Sequence, residues 1–240
     1  MPQIYLSQGK PCPYLTARKS GNLYILGADR SLYKELLERG WRRFGGFFFR
    51  PYCEGCKECV SVRIPVTDYK FSRSEKRVLK KCETLRMRIS RPMLDPKHIA
   101  LYETYHKERS ASRGWGYREN DGNPSDYYDH FVDSSLDFGY EFSYYFGEKL
   151  VAVALSDILP IGVSAVYCYY DPAFKEYSLG TFSILRQIIF AQENNLPHLY
   201  LGYLVNDNAS LRYKARFSPL EYMTNSPELL ESAVWEKKES

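Results

Sequence analysis

Residues 165–188 read AVYCYYDPAFKEYSLGTFSILRQI. Ala165 to Tyr170 are small, β-branched or aromatic, as in a strand, and the run stops at Asp171-Pro172. Ser178-Leu179-Gly180-Thr181 then leads into a helix predicted from Leu179 to Gln192. A helix start leaves backbone N–H groups without intrahelical partners, and a glycine there admits a close neighbour. Such a loop can hold an anion or polarise an ester oxygen. The same pattern also reads as a plain helix cap after a strand. Downstream, Pro197 precedes another strand, His198 to Gly202.

Upstream of this unit, Glu141 to Phe146, Leu150 to Leu155 and Ser164 to Tyr170 read as successive strands. Gly147-Glu148-Lys149 makes a hairpin turn between the first two. Lys97 to Arg113 is predicted helical, with Ile99, Tyr102 and Tyr105 inward. Residues 114–138 are polar and read as a long loop with one helical piece near Ser125 to Val132. Pro92 and Pro96 flank a break that sets the predicted domain boundary, giving residues 1–91 and 92–240. Residues 226–240 look like a polar tail.

The N-terminal part has a different character. Residues 1–30 read as loop and short strands. Ser31 to Arg39 has helical spacing, with Ser31 as N-cap and Gly40 as stop. Phe47 to Arg50 and Val60 to Val66 read as strands. Residues 41–63, WRRFGGFFFRPYCEGCKECVSVR, bring together arginines, a phenylalanine run and Cys53, Cys56 and Cys59. Ser72 to Arg86 is a basic amphipathic helix, with Val78, Leu79 and Cys82 inward and Arg73, Lys76, Arg77, Lys80 and Lys81 outward. Residues 1–91 hold 20 Lys/Arg against 8 Asp/Glu, whereas residues 92–240 hold 13 against 21. A basic half beside an acidic half points to divided labour, with the basic half drawn to a polyanion; solvated helix faces are the plainer reading. Cations bind phosphate and flat rings stack on bases. In residues 198–221, Tyr203, Arg212, Lys214 and Arg216 suit contact with a terminal adenosine, or else form an edge hairpin with solvated cations.

A hydrophobic content of 44% supports a packed core in 240 residues. No apolar run reaches the roughly 18 residues of a membrane span. The N-terminus lacks the charged start and apolar run of a secretory signal, so a cytoplasmic location is the default expectation, with neither membrane nor DNA as partner. The six cysteines then read as reduced thiols or metal ligands rather than disulfides.

Eight segments carry a more specific resemblance: WRRFG, RPYCEGCKECVSVR, SRSEKRVLKK, VAVALSDIL, VYCYYDP, SLGTFSI, YLGY and YKARFSPLE. Their order resembles that of aminoacyl-tRNA–protein transferases, in particular the short bacterial branch that transfers leucine to N-terminal Asp or Glu, related to the arginyltransferases. The resemblance runs from Pro11 to Glu221. It implies an α+β fold in which a GNAT-like acyltransferase domain, a mixed and largely antiparallel sheet with flanking helices, follows a smaller basic cysteine-containing domain. It implies aminoacylated tRNA, favouring Leu-tRNA, and proteins beginning with Asp or Glu as partners, and an N-degron as product. The eukaryotic relatives carry Cys-Gly-Tyr-Cys near the start and adjacent cysteines later. Here the corresponding stretch is Cys12-Pro13-Tyr14-Leu15, followed by a C-x2-C-x2-C spacing. Cys12, Cys53, Cys56 and Cys59 are candidate ligands of a metal or iron–sulfur cluster, with structural thiols and redox sensing as the other readings.

Aminolysis of an aminoacyl ester runs downhill and requires no cofactor at the transfer step. It needs proximity, oxyanion stabilisation and a neutral amine rather than a protein nucleophile. The expected machinery is Asp157 or Asp171 to orient or deprotonate the amine, Tyr169 on the strand beside the donor, and backbone N–H groups near Gly180 at the carbonyl. Arg42, Arg43 and Arg63 are candidates for the acidic acceptor, since arginine pairs with carboxylates through two parallel hydrogen bonds. Arg73, Lys76, Arg77, Lys80 and Lys81, with Tyr203, Arg212, Lys214 and Arg216, are candidates for tRNA. Three rivals stay open: a coenzyme A-dependent N-acetyltransferase, which the absence of a glycine-rich pyrophosphate loop disfavours, an RNA-binding or zinc-dependent regulator, and the same chemistry with arginine as donor.

Overall fold

The structure is a computed structural model that describes residues 3–113, 123–133 and 136–237. Residues 3–51 build a small antiparallel sheet from β1 (Gln3–Pro11), β2 (Lys19–Leu26), β3 (Arg42–Phe44) and β4 (Phe47–Pro51), in the order β1-β2-β4-β3. The loop and short strands expected before residue 30 are thus mostly one long hairpin. Helix α1 (Arg30–Glu38) lies between β2 and β3 in sequence. Its N-cap is Asp29, whose carboxylate accepts from the Leu32 N–H at 2.8 Å, so the helix begins before the predicted Ser31. Gly40, at φ +76°, follows the C-cap, where a left-handed residue turns the chain out of the helix. Tyr33, Leu36 and Leu37 of α1 pack on Ile25 and Phe48.

Side chains alternate across this sheet. Ile25, Arg43 and Phe48 share one face, toward α1; Asn22, Tyr24, Arg42, Phe44, Phe47 and Phe49 share the other. The adjacent arginines therefore leave β3 in opposite directions.

The second sheet has eight strands. Its members are β5 (Val60–Pro65), β6 (Arg86–Ser90), β7 (Gly139–Phe146), β8 (Lys149–Leu159), β9 (Gly162–Tyr170), β10 (His198–Leu204), β11 (Glu221–Met223) and β12 (Trp235–Lys237). The order is β12-β11-β5-β10-β9-β8-β7-β6. The β9/β10 pair is parallel, joined by crossover helix α5 (Leu179–Glu193), and the other pairs are antiparallel. This is a mixed, largely antiparallel α+β arrangement, as expected for the larger domain. Helix α2 (Arg73–Lys81) and α5 cover one face; α3 (Pro96–Arg113) and α4 (Pro124–Tyr127), which runs into a π-turn at Tyr128–Val132, cover the other. Hydrogen bonding from Ser72 and Glu75 forms a capping box at the start of α2.

Three features depart from the sequence reading. The basic helix ends at Lys81, and Arg86–Ser90, which carries alternating exposed and half-buried residues, forms edge strand β6. Strand pairing crosses the boundary expected at residue 91: β5 lies between β10 and β11, and β6 pairs with β7. The expected tail contains β12, because Trp235 has somewhere to pack. Its ring lies under the Arg63 guanidinium at 4.3 Å, and its N–H donates to the Glu38 carbonyl at 3.1 Å.

The two sheets are joined by a buried ion pair. Arg43 Nε and Nη2 bind both oxygens of Asp157 on β8 at 2.7–3.0 Å, and Tyr33 Oη donates to Asp157 Oδ2 at 2.8 Å. Removing one partner leaves the other charge buried and unpaired, at a cost of roughly 3–5 kcal/mol. Asp157→Ala should lower the unfolding free energy by about that amount in urea denaturation. The joint replacement Arg43→Met/Asp157→Leu, which leaves no orphan charge, should lose less; a double variant weaker than Asp157→Ala would refute this account.

Candidate active site

Strands β9 and β10 pair only at Val163–Leu199 and Ser164–Tyr200, then part toward their carboxyl ends. The carboxyl ends of diverging parallel strands form the crevice where ligands bind in open α/β sheets. Arg42 reaches into the apex from β3. Its Nη1 donates to the Tyr200 carbonyl at 3.3 Å and its Nη2 to the Ala165 carbonyl, one bond to each parting strand. Gly202 makes room for it: at φ +80°, a Cβ there would stand 3.0 Å from Arg42 Nε. Among the described residues no carboxylate pairs with Arg42, so a nearly buried positive charge is held by neutral carbonyls alone.

Lys214 adds a second cation. It lies in a 3₁₀ turn, Arg212–Arg216, and is 7% exposed, where the sequence suggested an RNA-facing surface. Its Nζ donates to the Tyr203 carbonyl on β10. Burial, reinforced by the Arg42 charge, brings its pKa down to about 7.

The four residues expected at the donor lie apart. Asp157 is fully buried with both oxygens taken by Arg43 and Tyr33, which leaves no face for a substrate amine. Asp171 caps the 3₁₀ turn Pro172–Tyr177 by accepting from the Ala173 N–H at 2.9 Å, and Lys149 sits 2.7 Å away. Asp157 pairs with Ser164, whereas Asp171 follows the Ala152–Tyr170 pair. Five residues of strand, roughly 17 Å, separate the two ends. Tyr169 is buried and its hydroxyl meets that of Tyr127 at 2.6 Å. At Gly180 a Cβ would come within 3.3 Å of the Tyr170 ring, so this glycine admits a neighbouring side chain.

Of the three acceptor candidates, Arg43 is bound to Asp157. Arg63 is ion-paired with Glu38 at 2.9 Å and Glu221 at 2.7 Å, and only Arg42 reaches the crevice without a carboxylate. The tRNA candidates on α2 (Arg73, Lys76, Arg77, Lys80 and Lys81) are all exposed, as are Arg212 and Arg216. The C-terminal end of α2 meets the approach to α5: Cys82 Sγ donates to the Tyr177 carbonyl at 3.3 Å, and Lys81 lies 5.4 Å from the Tyr177 ring centre. Tyr203 is buried, its hydroxyl donating toward the Gly40 carbonyl at 2.8 Å, so its ring is not free to stack on a base.

Above Arg42, on the same face of the small sheet, lies a cavity of about 240 Å³. Tyr14, Tyr24, Phe44, Phe47 and Phe49 form most of its wall, and Cys12, Cys53 and Cys59 complete one side. Burial, together with the nearby Cys53, Cys12 and Cys56, pushes the Cys59 thiol up to about 12, which keeps it neutral. Gly21 N–H donates to Cys53 Sγ at 3.2 Å and Arg18 Nη1 to Cys56 Sγ at 3.2 Å. Among the described residues no three His, Cys, Asp or Glu side chains come together as a metal-ligand set. No step of the reaction is derived through a metal or cluster on these thiols.

Sequence reasoning missed Tyr33, Glu38, Glu221 and Trp235, which hold the arginines. A tryptophan inside an otherwise polar tail was the one local signal; the others act only through tertiary contact.

The profile of the arginine-tRNA-protein transferase N terminus matches residues 10–77, and that of the C terminus matches residues 97–224. An aspartate/glutamate leucyltransferase of Helicobacter hepaticus is 42% identical over 97% of this chain and 96% of its own length. A protein of that name from Campylobacter jejuni is 43% identical over 94% and 95%, and one from Pseudomonas aeruginosa is 34% identical over 93% and 94%. Among solved structures, the C-terminal domain of a lysylphosphatidylglycerol synthetase from Agrobacterium fabrum aligns at TM-score 0.44 and 11% identity, covering 76% of this chain and 54% of that one. FemX aligns at TM-score 0.44 and 9% identity, covering 71% and 59%. Matched in order by both halves of one family and end to end by its bacterial relatives, the chain belongs to the arginine-tRNA-protein transferase family.

Proposed function

We propose that this protein transfers leucine from Leu-tRNA to the N-terminal α-amino group of proteins that begin with Asp or Glu, creating an N-degron. Charged tRNA is a cytoplasmic substrate, so the reaction would run there. The observation that carries the reading is the crevice between β9 and β10, with Arg42 at its apex, in a chain whose full-length relatives are named aspartate/glutamate leucyltransferases.

In the reaction the acceptor amine attacks the ester carbonyl of the aminoacyl-tRNA. A C–N bond forms, the C–O bond to the terminal ribose breaks, and the ribose oxygen leaves with a proton. Atoms balance without ATP or a redox partner. An α-ammonium group has a pKa of roughly 7.7–8.0 and must first lose its proton. Lys214, with a pKa of about 7 beside the crevice, is matched to take that proton at neutral pH. The unpaired charge of Arg42 favours the acidic side chain of the acceptor. Asp157 acts through Arg43 as a positioning residue, holding β3 so that Arg42 reaches the apex. The exposed cations of α2 line the approach for the tRNA backbone.

Purified protein given radiolabelled leucyl-tRNA should label peptides beginning with Asp or Glu and leave those beginning with Lys or Ala unlabelled. Label from arginyl-tRNA instead would keep the mechanism and change the donor, and label from neither would sink the reading. Lys214→Met should cut transfer about 100-fold or more. The same variant tests the pKa. Between pH 7 and about 10 the unfolded chain protonates this lysine and the folded chain does not, so stability contributed at this position rises with pH across that window. In urea denaturation Lys214→Met should therefore gain more stability over the wild type at pH 6 than at pH 9. Neutralising Lys76, Arg77 and Lys80 to Gln should weaken tRNA binding and reduce the slope of log affinity against log salt by about 2–3, if each cation meets a phosphate. An unchanged slope would move the tRNA path elsewhere.

A further inference from the structure

The geometry points to the aromatic cavity of the small sheet as the pocket for the side chain of the transferred amino acid, a branched aliphatic group. This inference rests on the proposed aminoacyl transfer and assigns the part of the site that selects the donor.

Three observations support it. The first is position. The wall residues Tyr24, Phe44, Phe47 and Phe49 share a sheet face with Arg42, whose guanidinium lies at the apex of the β9/β10 crevice. Phe49 packs against Tyr203 of β10 with ring centres 6.1 Å apart, and the Tyr14 carbonyl accepts from Asn208 Nδ2, just beyond β10, at 2.9 Å. On the other side Phe44 packs on Phe131 of the π-turn at 5.6 Å. The cavity is thus fixed to the segments that frame the crevice, and a group bonded to an ester there could extend into it.

The second is size. At about 240 Å³ the cavity falls below the roughly 300–1,000 Å³ of pockets that enclose a drug-sized ligand. It suits a side chain better than a whole nucleoside.

The third is chemistry. Rings, prolines and thiols dominate the lining, and among the described residues lining it none is charged. Placing an arginyl guanidinium there would bury a second cation close to Arg42 without a carboxylate, which is costly. An isobutyl group loses only its contact with water, which is favourable. The same cavity therefore accounts for leucine over arginine as donor on a scaffold that resembles the arginyltransferases.

The experiment uses full-length protein and tRNA-Leu charged with leucine, alanine or phenylalanine, with an Asp-initiated peptide as acceptor. One methylene in an apolar pocket is worth roughly 10–200-fold in specificity, so wild-type protein should prefer leucyl over alanyl donor by about 100-fold or more. Phe47 is half-buried, so a substitution there disturbs packing less than one at a fully buried ring such as Phe48. Phe47→Trp fills the cavity and should shrink the leucyl-to-alanyl ratio at least about tenfold. Phe47→Ala enlarges it and should raise phenylalanyl relative to leucyl transfer about tenfold. Circular dichroism and tRNA affinity establish that each variant is folded and loaded. Ratios unchanged in both variants would overturn the cavity assignment while leaving leucyl transfer standing. A fall in affinity for uncharged tRNA with unchanged ratios would overturn it in favour of a pocket for the terminal adenine. Absence of transfer by the wild type from every donor would overturn both this inference and the function on which it rests.

Discussion

Two adjacent arginines on one short strand organise this molecule. Strand geometry sends alternate side chains to opposite faces, so Arg43 enters the core between the sheets and Arg42 enters the crevice. Arg43 is held by a carboxylate and stabilises the joint. Arg42 is held by carbonyls and stays electrostatically uncompensated among the described residues. A one-residue slip of β3 would bring Trp41 or Phe44 into one of the two places, so that either the crevice or Asp157 would lose its arginine. The joint therefore fixes register as well as distance, and the position of the crevice's charge follows from it.

The same economy of position governs Lys214 and Cys59, both made neutral-leaning by burial beside Arg42 and the aromatic cavity. Exposed, a lysine would be fully protonated at pH 7 and of little use to an ammonium that must shed a proton. Burial changes its chemistry without changing its identity. The crevice thus combines one permanent cation, one titratable amine and an uncharged pocket, drawn from three separated stretches of chain.

How much of this could be read beforehand depended on range. Helices α1, α2, α3 and α5 and strands β7 to β10 were legible, because their periodicity and their Gly and Pro punctuation are local signals. The exposed basic face of α2 was legible for the same reason. Strand β6 was not, since Arg86–Ser90 continues a basic run and becomes a strand only by pairing with β7. The carboxylates were misjudged for a related reason. Asp157 in a motif reads as chemistry, but its partners Arg43 and Tyr33 lie more than a hundred residues upstream. Lys214 sits between two exposed arginines in sequence, and only the turn of the 3₁₀ segment buries it.

Strand β5 is placed between β10 and β11, although some 130 residues of chain lie between it and β10. At a synthesis rate of roughly 5–20 residues per second, a ribosome needs about 7–27 s to supply its neighbour. During that interval Val60–Pro65, an apolar segment with both edges unpaired, has no native partner within the nascent chain. The large sheet can close only late in translation, so the protein's yield in a cell is tied to how well that waiting strand is shielded, and codon speed or chaperone supply becomes a determinant of how much enzyme is made.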